Sequence, residues 1–576
     1  MSRTYGGFES LKAAVAYYDY EISQGEKAKE AWKREFQCEE IKMLYEGFQR
    51  PEDWSEEDWF SLNMMFSDAQ VLLPSLSGGQ PEVNVRVGKS RVTSPEVLQQ
   101  LMLEAKLREA STNAVLFDQL SPAKLRAAVV DALWCFGVAK VTYQPEEEKN
   151  PEKGRVKRDD FGNVLLDESG SEILEEEKVV VDEEFVVDIL DPDHVFVDRD
   201  CGHFLEDDGV WVAQKFVEKL KDVKENSQFK NTANLKPTAL RDDEIQKLKE
   251  KRGTESAAGL AFKPISDEAM EEEVRREDGE EGLVVYYEVY DLKKKLFIVI
   301  ARGHKEPLRG PEPTPPGMKG HPFAFLRFYL RPSHTFYPIP LLFNLVGPQK
   351  EYNGVRNDIA LHRKRFKRKY MYYNVSAEEM SKFENPEDGA SIQAEEKDSK
   401  IVPIVDAGLD NAVYYDSRQL RVDFSLHSGV TGAQLGAGDS GSATESLEVA
   451  SRLQMRESDK EELVKAFVAK IGENISISQE KNLTFPMMVE IVGKEGAKEW
   501  ATVSRNEIGT EGVRWNFSVK AGSLSIKDKR AQTPQFLMAI DLVGKYPYIG
   551  LSPALLEELL GRLEIFDDNV KKELNL

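Results

Sequence analysis

The chain has 576 residues, with 77 Lys and Arg against 101 Asp and Glu, a net charge of −24. That acid excess excludes a simple basic nucleic-acid binder, and no stretch approaches the ~20 uninterrupted apolar residues of a membrane helix. Three scattered cysteines, Cys38, Cys135 and Cys201, make no disulfide framework, and the start MSRTYGGFESLKAAV carries no signal-peptide core, so a reducing cytoplasm is expected. In chain order, apolar positions at helical spacing predict helix over 8–49 (Leu11, Ala14, Tyr17, Tyr18, then Trp32, Phe36, Ile41, Leu44). A second helix over about 55–73 should end before Leu73-Pro74. Val83, Val85 and Val87 alternate as a half-buried strand, residues 95–119 read as helix, and Ser121-Pro122 opens another that stops near Gly137. The strand Val138–Tyr143 follows.

Residues 145–184 are acid-rich, with a turn at Asp160-Phe161-Gly162-Asn163. Phe185–Leu190 and His194–Val197 read as strands joined by Asp191-Pro192-Asp193. Residues 214–282 are largely charged and predict helical pieces and loops, after which Val284–Tyr290 and Leu296–Ala301 form a hairpin around Lys293-Lys294-Lys295. Gly347-Pro348 opens a helix running to about 370, ~34 Å long, through Tyr352, Val355, Ile359, Phe366 and Tyr370. Two short strands, Tyr370–Val375 and Ile401–Val405, come next, and 417–428 is ambiguous between helix and strand. Ser442-Ala443-Thr444-Glu445 is a capping-box signature for a long helix ending around 475–480. A strand at Trp515–Val519 and short helices over 530–576 complete the chain.

Motifs with chemical meaning fail on context. Gly436-x-Gly438-x-x-Gly441 lacks the hydrophobic strand that a dinucleotide fingerprint requires. Gly88-Lys89-Ser90 lacks the first glycine of a phosphate-cradling loop, since Val83 stands there, and Asp160-Phe161-Gly162 has no companion kinase motifs. Asp191, Asp193, His194, Asp198 and Asp200 could bind a divalent ion, but strand ends with Asx turns are the favoured reading. No catalytic residue, metal site or cofactor is therefore assigned, and the chain is expected not to be an enzyme. Two features stand out instead. Arg356, Arg363, Lys364, Arg365, Lys367, Arg368 and Lys369 oppose a single acid, Asp358, and could contact DNA phosphates, form a solvated face, or pair between subunits with acidic segments such as 378–398. Residues 429–442 hold Gly429, Gly432, Gly436, Gly438 and Gly441 together with Val430, Thr431, Gln434 and Asp439; a mobile loop rooted on a capped helix is one reading, a plain connector the other.

Taken together, the order of elements and several local sequences resemble the portal proteins of tailed bacteriophages, most of all those of short-tailed phages. The carriers are Leu73-Pro74 followed by Pro81–Val85, the Arg126–Tyr143 segment with Gly137, Asp191-Pro192-Asp193 with Val197-Asp198, and Tyr337-Pro338-Ile339-Pro340 running to Gln349, Asn353 and Arg356. The resemblance covers about 50–525. It implies an α+β chain with a wing (1–335 and 443–523, including the long helix), a stem (336–368 and 415–428), a small α/β clip (369–414) and a short helical crown (524–576). Residues 429–442, Gly429 to Gly441 among them, would be a DNA-facing tunnel loop, and Tyr370, Tyr372, Tyr373, Ile401 and Ile404 would belong to the clip. The inserts 145–184 and 214–282 receive no role. The implied assembly is a cyclic ring of about twelve subunits at a capsid vertex, formed in the host cytoplasm and passing double-stranded DNA. Its implied partners are terminase, head-completion or adaptor proteins, the major capsid protein and scaffolding protein, and no membrane. A different head–tail adaptor or tail protein is the alternative.

Overall fold

The computed structural model describes residues 7–51, 54, 59–88, 95–149, 178–238, 282–365, 369–384, 398, 400–404, 411–429, 443–492, 498–510, 513–520 and 524. The chain is a mixed α+β protein that separates into two compact units. The first comprises Met1–Cys38, Leu72–Leu341 and Gln454–Leu576, the second Glu39–Val71 and Leu342–Leu453.

The first unit is built around an antiparallel five-stranded sheet in the order β4 (Val195–Val197), β5 (Trp211–Lys219), β6 (Leu283–Asp291), β7 (Leu296–Ala301) and β8 (Arg309–Pro313). Helix α1 (Leu11–Glu35) lies on it. Ser10 caps the helix by accepting from the Ala13 N–H at 3.2 Å, and Ala14, Val15, Tyr18 and Ile22 recur at helical spacing to form one apolar stripe. That stripe packs on Phe196, Trp211, Ala213, Tyr287, Val289 and Ile298. Further along α1, a Cβ at Gly25 would sit 2.8 Å from the Trp211 ring, so only glycine lets helix and strand approach this closely. The predicted hairpin is β6–β7, with Asp291 opposite Leu296.

A three-stranded sheet places β2 (Gly137–Lys149) between β3 (Lys178–Ile189) and β9 (Phe323–Leu326). Strand β1 (Val83–Val87) pairs antiparallel with β14 (Trp515–Val519), and β12 (Met487–Val492) with β13 (Lys498–Val503). Helix α4 (Pro95–Gln119) adjoins β1 and β12, and α5 (Pro122–Trp134), capped by Ser121, packs on β2. The short helices α6 (Leu205–Asp208) and α7 (Leu220–Glu225) flank β5. The last part of α11 (Ala443–Asn482) buries Val464, Phe467, Val468, Ile471 and Ile475. Arg108 of α4, 1% exposed, donates to Glu104 at 2.9 Å, to Glu480 at 2.9 Å, to Ser476 at 3.2 Å and to the Ile508 carbonyl, and its guanidinium stacks on Trp515. This is a buried charge with its donors matched.

The second unit holds α2 (Cys38–Glu46, from Glu39 on), the first turns of α3 (Met64–Ser77), α8 (Val346–Arg365), β10 (Lys369–Tyr373), α9 (Ala377–Glu384), β11 (Lys400–Ile404), α10 (Asn411–Ser428) and the start of α11. Helices α8 and α10 pack together, and β10 pairs antiparallel with β11.

Several expectations need correction. The helix over 8–49 is two helices, broken where Gln37 takes a left-handed backbone with φ of 51°. Helix α3 starts at Met64 rather than about 55 and runs through Pro74, because Leu72, Leu73 and Leu76 are buried on both sides of it. Residues 211–219, partly assigned to a charged stretch of helix and loop, are β5 at the sheet's interior; Gln214 is buried and accepts from Lys140 at 2.8 Å. The hairpin β12–β13 was not anticipated. The ambiguous 417–428 segment is helical and longer, and α8 ends at Arg365, giving ~30 Å instead of ~34 Å. The Asp160–Asn163 turn, residues 239–281 of the charged insert and the helices expected over 530–576 lie outside the described residues.

Candidate nucleic-acid and assembly surfaces

Helix α8 carries the basic stretch, and its buried face is not the apolar one its periodicity suggests. Tyr352 and Ile359 are buried as expected, but beside them lie Gln349, Asn353 and Asn357, at 0%, 2% and 0% exposure. These three amides follow one another at four-residue steps and bond the backbone of residues 60–65. Gln349 Oε1 accepts from the Met64 and Met65 N–H groups at 3.0 and 3.1 Å, and its Nε2 donates to the Leu62 carbonyl at 2.8 Å. Asn353 Oδ1 accepts from the Leu62 N–H at 3.2 Å, while Asn357 holds both the N–H and the C=O of Phe60 at 2.7 Å. Gln49 joins them, its Oε1 accepting from Gln349 and Asn353. Three buried side chains thus bond the backbone of residues 60–62 and the opening of α3, with donors matched to acceptors throughout.

Of the basic residues, Arg363 and Lys364 are exposed, and Arg356 is half-buried with no hydrogen-bond partner at Nε among the described residues. Arg365 closes α8 and Lys369 opens β10; Lys367 and Arg368 fall outside the described residues. The expected clip residues come together. Tyr372 stands opposite Ile401 in the β10–β11 pair, Lys369 opposite Ile404, and Tyr370 meets Phe383 of α9 edge-on at 4.7 Å. Met371, Tyr372, Tyr373, Val402 and Ile404 are 42–51% exposed, so this two-stranded sheet shows apolar side chains on both faces.

Helix α10 is apolar on two faces. Leu420 and Phe424 are buried, whereas Tyr415, Val422 and Leu426 are 71%, 52% and 67% exposed. Steps of seven and four bring the exposed three to one stripe, about half a turn away from the buried pair. At the end of α10 the chain turns at Gly429, with φ of +75° and its N–H donating to the Ser425 carbonyl at 2.9 Å. Close by, Asp68 of α3 is 3% exposed and its Oδ2 has no partner among the described residues; burial raises its pKa to about 6 against the lowering effect of a Ser428 hydrogen bond and the Arg421 charge. The rest of the glycine loop, Val430 to Gly441, is outside the described residues, as is the Ser442 cap, though α11 does begin at Ala443.

The aspartate cluster is a set of local turns. Asp191 accepts from the Asp193 N–H at 2.8 Å, Asp198 from the Asp200 N–H at 3.2 Å, and Asp193 pairs with Lys33. Among the described residues no group of three His, Cys, Asp or Glu is arranged to hold a metal ion. Gly88 follows β1 directly, its N–H donating to the Arg514 carbonyl at 2.7 Å, with Lys89 and Ser90 beyond the described residues. All three cysteines are buried and unbridged. No helix of the described residues is long and apolar enough to cross a membrane. No family model matches the chain, and no curated protein matches it either.

Reading the sequence alone missed the amide ladder, because Gln and Asn count as polar in any hydrophobic pattern. Their own four-residue spacing, Gln349-Asn353-Asn357, was the available signal.

Proposed function

We propose that the chain is a phage portal subunit: a non-enzymatic structural protein that closes into a ring of about twelve copies and conducts double-stranded DNA. The observation that carries this reading is the doubly apolar helix α10. Its Leu420–Phe424 face is used within the subunit, and the Tyr415–Val422–Leu426 stripe is left at the surface. A helix exposing such a stripe gains by burying it, and head-to-tail packing that closes on itself forms a ring. The β10–β11 pair supports the same view, since two strands alone are marginal in water and these expose apolar groups on both faces. Arg363 and Lys364 supply positive charge on α8 in a chain of net −24, a balance suited to DNA that must slide without being gripped. In this reading 369–414 is the clip that meets terminase and head-completion proteins, 429–442 faces the DNA, and scaffolding and major capsid proteins surround the rest.

The test is electron microscopy of the purified protein with the Tyr415→Ser/Leu426→Ser variant beside it. Rings with a central hole are expected for the wild type and fewer or none for the variant. A wild type that stays monomeric under assembly-promoting conditions overturns the reading. Rings that cannot support DNA packaging with terminase would favour the head–tail adaptor instead.

A further inference from the structure

Three elements of the first unit converge on a groove of about 330 Å³ that nothing above uses. Its walls are the C-terminal end of α4, strand β3, and the turn 483–487 between α11 and β12. Val115, Val181, Leu483, Phe485 and Met487 give it an apolar floor, with Val181 and Phe485 47% and 41% exposed. The walls are braced from inside. Glu183 accepts from the Thr484 N–H at 3.0 Å, the Phe485 N–H at 2.7 Å and the Tyr143 hydroxyl at 3.0 Å, tying the turn to β3. Gln119 donates to Glu184 at 2.7 Å, tying α4 to the same strand. The groove is therefore pre-formed.

Its rim is acidic. Asp118 and Asp182 line it and are exposed, and the carbonyl end of α4 adds partial negative charge. The adjoining β2–β3 ribbon sets Glu146 directly opposite Asp182, two like charges across a strand pair, which is unfavourable until a cation comes between them. Among the described residues no cation pairs with Asp118, Asp182 or Glu146. Outside the groove the apolar surface continues at Phe117 and Met488, both 71% exposed.

We propose that this groove docks a segment of another protein that presents lysine or arginine beside one or two large apolar side chains. The apolar anchor would sit over Val181 and Phe485 and the cation over Asp118 and Asp182. The charge selects this occupant, because the same rim repels nucleic acid and anionic membranes. The groove would serve whether or not the chain assembles into a ring.

The experiment titrates full-length protein with a fluorescein-labelled dodecapeptide carrying lysine and leucine at helical spacing. Two control peptides replace the leucines by serine or the lysines by glutamate. Val181→Ser/Phe485→Ser and Asp118→Lys/Asp182→Lys should each weaken binding at least tenfold with unchanged melting temperature and oligomeric state, and both control peptides should fail to bind. Asp222→Lys/Glu225→Lys on α7 should leave binding unchanged. Equal weakening by the α7 variant, or no effect of the Val181/Phe485 pair, would mean only general attraction to an acidic chain and would overturn the proposal. Loss of self-association in the groove variants would overturn it too, by making the groove a contact between copies.

Discussion

Replacing Gln349 by leucine asks the most of the second unit for the least change in side-chain volume. The amide makes four hydrogen bonds: it accepts from the Met64 and Met65 N–H groups and donates to the Leu62 carbonyl and Gln49. Met64 and Met65 are the first two residues of α3, whose opening turn leaves N–H groups without intrahelical partners. Asn63 satisfies the Phe66 N–H at 3.0 Å and the Leu62 carbonyl also accepts from Met64 at 3.0 Å, so the Met65 N–H is the one that depends on Gln349 alone. Gln349 is fully buried and Met65 likewise, so water cannot easily replace the lost acceptor. One orphaned buried donor gives a cost of roughly 1–3 kcal/mol. Urea unfolding would measure the stability, and amide hydrogen exchange should show protection lost first over residues 60–66. A leucine variant within 0.5 kcal/mol of wild type, or exchange unchanged over 60–66, would refute the idea that this amide holds the segment.

Arg108→Met should destabilise the first unit by about 3–5 kcal/mol, because Glu104, 3% exposed, is left as an unpaired buried charge. Adding Glu104→Gln should recover part of that loss in urea unfolding. Asp68, with its pKa raised to about 6, holds its proton more tightly folded than unfolded, so its contribution to stability is present at low pH and lost as pH rises from about 4 to 6. Asp68→Asn should flatten that part of the stability–pH curve and be at least as stable as wild type at pH 7, as thermal melts across pH would show. Shortening 429–442 should leave ring formation intact and impair packaging, which a packaging assay with terminase would read; unchanged packaging would remove the loop's assigned role.

What could be read from the sequence follows local rules. Pro95 and the Ser121-Pro122 pair mark the starts of α4 and α5, and Gly137 follows α5, where a Cβ would lie 2.4 Å from the Ala128 carbonyl oxygen. Valine alternation gave β1, and the hairpin β6–β7 was explicit in its two apolar runs around three lysines. The misses depend on partners distant in sequence. Strand β5 looks charged until Lys140 arrives to meet Gln214, and α3 passes through Pro74 because packing outweighs one missing hydrogen bond. The ambiguity at 417–428 had a cause: apolar residues on two faces of one helix blur a single-period pattern, and that blur marked the stripe Tyr415, Val422 and Leu426. The groove beside β3 was not legible at all, since α4 and β3 are separated by the 120–177 stretch and the 483–487 turn lies about three hundred residues further on.

The ladder on α8 touches only main-chain atoms of residues 60–65, so it is indifferent to which side chains that segment carries. Evolution could rewrite Phe60, Leu62, Met64 or Met65 freely as far as these bonds are concerned, with proline the one forbidden letter, since each of these positions lends its N–H. The helix has no such latitude: Gln349, Asn353 and Asn357 must each supply an amide at one height. Variation among related chains should therefore fall unevenly on the two sides of a single contact.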